Sequence, residues 1–189
     1  MVKVNHLGAV LVAICGLWFN SANAVELLKN GPSVFNYNFA DVLYLNDESA
    51  DGIGLRFSAD IRENYAVQFS YERVSDGGFD QDTLAGGVAY HIEAARFPGK
   101  ADWVFDAGLV FVDVEGIDDT GLFVNGGIRY AVNEPLEVNA ALGISTVFDT
   151  DVNLLLRALY EVSKGFSAFV ETDIGSDSSL GLGVRFYWR

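Results

Sequence analysis

The chain has 189 residues, 12 of them basic and 26 acidic, for a formal net charge of −14, and half are hydrophobic. That length suits one domain, and that charge makes nucleic acid a poor partner because phosphates would be repelled. A mean hydropathy of +0.22 beside so large a charge requires apolar and charged side chains to be segregated in space.

The first residues read as a targeting signal. Lys3 precedes an apolar run from Leu7 to Phe19, and Ser21-Ala22-Asn23-Ala24 carries the small residues of a cleavage site. The run is shorter than a bilayer-spanning helix needs, which argues against a membrane-anchoring helix. Residues 1–24 are therefore expected to be a cleaved signal peptide and residues 25–189 the mature domain. The single cysteine, Cys15, lies within the signal. Ile14 before it is too large for a lipoprotein site, and the mature domain is expected to form no disulfide.

From Val25 onward no apolar stretch reaches the roughly 18 residues of a membrane helix. What recurs is a period of two. Tyr65, Val67, Phe69 and Tyr71 alternate with Ala66, Gln68, Ser70 and Glu72. In chain order this template predicts strands over 35–46, 52–61, 65–73, 82–92, 101–114, 121–132, 136–148, 152–162, 166–174 and 180–188. The first is the least regular: with Asp41 inward and Val42 and Tyr44 outward, Phe35, Tyr37 and Phe39 fall on the inner side. A bulge or a later strand start would reconcile them.

Most segments have the 9 to 11 or so residues of a tilted membrane-crossing strand. The connections alternate in charge. Asn46–Asp51, Ser75–Asp82, Glu115–Thr120, Asp149–Asp151 and Gly175–Ser179 are acidic without Lys or Arg, whereas the intervening turns carry Arg62, Arg96, Lys100 and Lys164. An even strand number puts both chain ends on one side, expected to be the periplasm together with the second set of turns.

A soluble lipocalin-like barrel or β-sandwich would show the same alternation. Two features favour lipid outside. The polar face is rich in small residues (Gly54, Ala85, Gly87, Ala89, Gly108, Gly127, Gly143, Gly183), which suit a crowded lumen. The apolar face carries aromatics near strand ends (Tyr44, Tyr71, Tyr90, Trp103, Phe111, Tyr130, Phe148, Phe166, Trp188), which suit two interfacial girdles. The expected fold is all-β: a closed antiparallel up-and-down transmembrane β-barrel of about ten strands, with eight as the alternative.

Three stretches resemble the small outer-membrane β-barrels of the OmpA-type and OmpX/Ail-type group. Phe35-Asn36-Tyr37-Asn38-Phe39-Ala40-Asp41-Val42 resembles their first strand, and Gly52-Ile53-Gly54-Leu55 their later Gly-x-Gly strands. Gly183-Val184-Arg185-Phe186-Tyr187-Trp188 resembles the C-terminal signal read by the barrel-assembly machinery, although Arg189 follows the last aromatic here. The resemblance implies architecture, a Gram-negative cell outer membrane as location, and that machinery as a partner in biogenesis. It implies no activity.

The inner face carries one regularity. Arg56, Arg129, Arg157 and Arg185 fall on even-numbered strands, and Asp41, Glu72, Asp106, Glu137 and Glu171 on odd ones. Neighbouring strands then offer opposite charges, expected to pair as a polar core that closes the lumen. The first functional expectation is a structural or surface-interaction barrel. The alternatives are a narrow passive pore and, further off, an envelope enzyme. No catalytic, cofactor-binding or metal-ligating residues are singled out, and no cofactor is expected. The mature domain has one histidine, His91, expected as a lumen or interface residue at the periplasmic end of its strand. No nucleophile or metalloprotease motif accompanies it. Acidic stretches at Asp76–Asp82, Asp118-Asp119 and Asp149-x-Asp151 lack an EF-hand order of ligands. They are read as solvated charges, or as sites where divalent cations bridge to lipopolysaccharide phosphates. Fractionated envelopes run unheated and boiled on a denaturing gel should show a heat-shifted outer-membrane band whose N-terminus is Val25 by mass spectrometry; a soluble product would contradict the reading.

Overall fold

The structure is a computed structural model that describes residues 32–47, 50–175 and 178–188. The expected signal peptide and the start of the mature domain lie outside the described residues. Ten antiparallel strands follow one another in chain order: β1 (Phe39–Asp47), β2 (Ala50–Arg62), β3 (Tyr65–Asp76), β4 (Phe79–Glu93), β5 (Ala101–Val114), β6 (Ile117–Ala131), β7 (Leu136–Ser145), β8 (Asp151–Ser163), β9 (Phe166–Ile174) and β10 (Ser179–Tyr187). Each pairs with its sequence neighbours, and β1 pairs with β10, closing the barrel. Closure leaves no unpaired edge, so the backbone satisfies its own hydrogen bonds. The expected ten-strand barrel stands, and the eight-strand alternative is set aside.

Alternation decides the faces. Along β3, Tyr65, Val67 and Phe69 are exposed on the outside while Ala66 is fully buried inside. On other strands Leu55, Phe57, Leu109, Leu122, Leu142 and Leu182 likewise face outward and are exposed. An apolar belt therefore surrounds the barrel. Tyr44 and Phe111 sit toward one end of their strands and Tyr90, Trp103, Tyr130 and Phe166 toward the other, whereas Tyr71 is mid-strand and Phe148 and Trp188 lie outside the strands. All eight small residues assigned to the inner face point inward. Gly87 and Gly108 are direct partners on β4 and β5. A Cβ on either would collide with the other strand's backbone, so glycine at both lets the sheet curl tightly there.

The first strand takes the later of the two expected forms. It begins at Phe39, later than 35, and it needs no bulge. Tyr37, Phe39, Asp41, Leu43 and Leu45 are all buried on the inner side, while Val42 and Tyr44 are exposed outside. The inward rings are accommodated because guanidinium groups cover them: Arg185 lies 3.6 Å from the centre of the Phe39 ring. The register irregularities fall instead between Asp60 and Arg62 and between Glu161 and Ser163, each beside a hairpin turn.

At the end opposite the termini the strand limits differ from those expected, some strands being longer and one shorter. β4 starts at Phe79 and β6 at Ile117, inside stretches read as acidic loops, and β7 stops at Ser145, which leaves Phe148 in the following connection. Glu115 and Gly116 both have positive φ (53° and 84°), as a two-residue hairpin turn demands. The fully described connections at that end, 77–78, 115–116 and 146–150, are short.

Candidate functional site

The lumen collects the polar chemistry. Asp41, Arg56, Glu72, Arg157, Glu171 and Arg185 come from six consecutive strands around the barrel, β8, β9, β10, β1, β2 and β3, and form one network. Arg185 grips Asp41 with two parallel bonds, Nε to Oδ1 at 2.7 Å and an η-nitrogen to Oδ2 at 2.8 Å. Arg157 approaches the same carboxylate at 3.5 Å and donates from Nε to Glu171 at 2.6 Å. Arg56 donates to Glu171 at 2.8 Å and, from a second η-nitrogen, to Glu72 at 2.8 Å. Three cations meet three anions, so the cluster is neutral. Asp41 is only 1% exposed, and an isolated charge at that depth would be costly.

A second neutral pair lies nearer the terminal end. Arg129 donates to both oxygens of Glu137, at 2.6 and 2.9 Å. All four arginines read from strand parity thus find carboxylates, along with four of the five expected acids. Asp106 is the exception. Register places it opposite Asn125, and the Asn125 amide donates to it at 2.6 Å. Asn153 likewise donates to Asp173 at 2.7 Å. The β5–β9 side of the lumen is therefore lined with amides and carboxylates around Gly143, where a side chain would collide with the Asn125 and Asn153 oxygens. An apolar wedge of Leu43 and Leu45 from β1, Leu159 from β8 and Phe169 from β9 also lies inside, which parity alone did not single out.

At the terminal mouth, residues 33–37 turn into the barrel before β1 begins. Ser33 Oγ donates to Asp102 Oδ2 at 2.5 Å, the Val34 amide to Oδ1 at 3.1 Å and the Tyr37 hydroxyl to Oδ2 at 3.2 Å. Asp102 is fully buried. It shares the inward parity of Asp106, four residues on, so its side was legible in the sequence; its partners were not. Arg129 donates to the Asn36 carbonyl at 3.0 Å and lies over the Phe35 and Tyr37 rings. His91 faces inward at this end, as expected, with its Nε2 3.1 Å from Asp60 Oδ1 and its ring stacked on Tyr37 at 3.7 Å. At 3% exposure, with Tyr37 across its face, the imidazole has little access to a substrate.

The acidic connections are engaged locally. Asp80 accepts from Arg73 and Ser75, Asp82 from Tyr71, and Asp119 from the Thr120 and Phe148 amides. Among the described residues, a cavity of about 370 Å³ lies in mid-lumen and another of about 1030 Å³ at the terminal mouth.

Removing one member of a buried ion network costs about 3–5 kcal/mol. Glu171→Gln leaves Arg56 and Arg157 short of a carboxylate and should lower the unfolding free energy in detergent by roughly that amount. Arg157→Met combined with Glu171→Gln restores neutrality and should cost less than Glu171→Gln alone. Urea titration followed by tryptophan fluorescence checks both, and additive losses would contradict the coupling.

No family model matches the chain, and no curated protein sequence matches it. Solved structures do. The KdgM porin superposes with a TM-score of 0.47 at 10% identity, over 80% of this chain and 99% of that one. The NanC porin gives 0.47 at 9%, over 79% and 99%. A structure from de novo design of transmembrane beta-barrels gives 0.47 at 15%, over 84% and 100%. The barrel assignment itself rests on the closed strand ladder of this chain.

Proposed function

We propose that the protein is an outer-membrane β-barrel of a Gram-negative envelope with a structural or surface-contact role and a lumen that does not conduct. The observation that carries this reading is the six-residue Arg/acid network across the β8–β3 arc, which fills that side of the interior with mutually neutralised charge. The apolar belt and the aromatics toward the strand ends suit hydrocarbon and its two interfaces. In its general kind the barrel is like the OmpA-type and OmpX/Ail-type proteins that its first and last strands resemble, and it would be inserted by the same assembly machinery. Short connections favour a compact envelope element over a broad adhesive surface. The acidic rim would contact lipopolysaccharide phosphates through divalent cations, since carboxylates alone repel them. No catalytic role is assigned.

A narrow passive pore is the second reading, favoured by the mid-lumen cavity between the Arg56, Arg157 and Arg185 side and the Asp106, Asn125 and Asn153 side. Planar-bilayer recording separates the two. The purified protein, inserted and folded by the heat-shift criterion, should show no large, stable unitary conductance; steady open-channel current would overturn the non-conducting lumen and favour the pore.

A further inference from the structure

We propose that residues 33–37 form a removable strap across the terminal mouth, and that its release joins the two interior cavities into one water path. The proposal rests on the barrel reading above and goes beyond it by locating the closure in a segment outside the strand wall. Val34, Phe35 and Asn36 line the mouth cavity, Tyr37 lines the mid-lumen cavity, and Arg129 lines both. The segment and the Arg129 side chain are thus the partition between the two spaces.

The partition is held by side-chain chemistry and not by a strand ladder. β1 begins only at Phe39, so residues 33–37 belong to no strand. Three donors from the segment converge on the Asp102 carboxylate of β5, across the lumen from β1 in strand order. Arg129 of β6 holds the Asn36 carbonyl, and the Tyr37 ring lies flat on His91 of β4. Hydrogen bonds to a buried carboxylate are strong while made, yet each is a local, breakable contact. Strand pairs, in contrast, cannot part without opening the barrel. The segment can therefore detach and leave the wall whole. The path it uncovers is lined by Arg129, Asn139, Asn125 and Asp106, side chains that suit water and small ions.

The test uses the full chain exported to the membrane, purified in detergent and inserted in planar bilayers with potassium chloride as the permeant salt. Ser33→Ala combined with Tyr37→Ala removes two of the three donors to Asp102 and the ring on His91. Asp102→Asn weakens the same anchor from the wall side. Both should raise the open fraction roughly ten-fold over wild type, which corresponds to about 1.4 kcal/mol of lost closure. Tyr37→Phe keeps the stacked ring and loses one bond; it should shift the open fraction in the same direction by less, and it serves if the double variant fails to assemble. Variants that keep the heat-shifted band and stay as silent as wild type would overturn the strap while leaving the barrel intact. A wild-type protein that already conducts, with currents unchanged in the variants, would overturn both the strap and the non-conducting lumen. Loss of the heat-shifted band from the wild-type protein would count against the barrel itself.

Discussion

The seam where the chain's two ends meet is closed by charge as well as by backbone. β1 and β10 must find each other across the whole length of the sequence, and Asp41 and Arg185 are direct register partners at that junction. Arg56 faces Asp41 from the other side of β1, also in direct register. Because side chains alternate strictly, a slip of one residue in either pairing would turn a buried arginine toward the apolar exterior and a hydrophobic side chain into the charged lumen. The ion network therefore penalises every near-miss closure. Burying six charges contributes little net stability by itself, because desolvation offsets much of the attraction. Its consequence here is that a single register is tolerated.

Other contacts reinforce the same seam. Trp188 stacks on Phe57 of β2 at 4.8 Å, and its amide donates to the Asn38 carbonyl at 3.2 Å. Leu43 of β1 packs with Phe169 of β9 inside, and Gly54 and Gly183 stand on either side of Leu43 in register, leaving it room. The β5–β8 side is different in kind. There the mid-barrel inner face is rich in glycine, alanine and amides, with Asp106 held by Asn125, and Asn153 of β8 holds Asp173 of β9. One half of the barrel carries the paired charges and the apolar wedge, and the mid-lumen cavity lies between Asp41, Arg56, Arg157 and Arg185 on that side and Asp106, Asn125 and Asn153 on the other.

Much of this was legible as parity. Residues two apart share a face, so once Tyr65–Tyr71 is taken as outward, every inward arginine follows by counting within its strand, and strand number supplies the sign of its neighbour. What parity does not carry is distance around the barrel. Glu171 serves both Arg56 and Arg157 because the closed sheet brings β2 and β9 together across the seam, a contact that pairs of consecutive strands do not reveal. Nor does parity say which of two polar neighbours meets an inward acid: Asp106 faces Asn125 because the β5–β6 register is set by their short hairpin turn. The inward aromatics misled for a physical reason. Rings are expected in hydrocarbon, but beside Arg129 and Arg185 they find guanidinium faces inside. The strap was invisible because residues 33–37 have no partner strand whose pattern would betray them.

Everything above requires that odd positions of β3 touch hydrocarbon and even positions touch the lumen. Single cysteines at Val67, Gln68, Phe69 and Ser70, in a chain with Cys15 replaced, can be labelled with an environment-sensitive fluorophore and placed in vesicles containing brominated lipid. Quenching that alternates with a period of two, strong at 67 and 69 and weak at 68 and 70, is the expected result. Uniform quenching, or the opposite alternation, would contradict the assignment of the charged face to the interior.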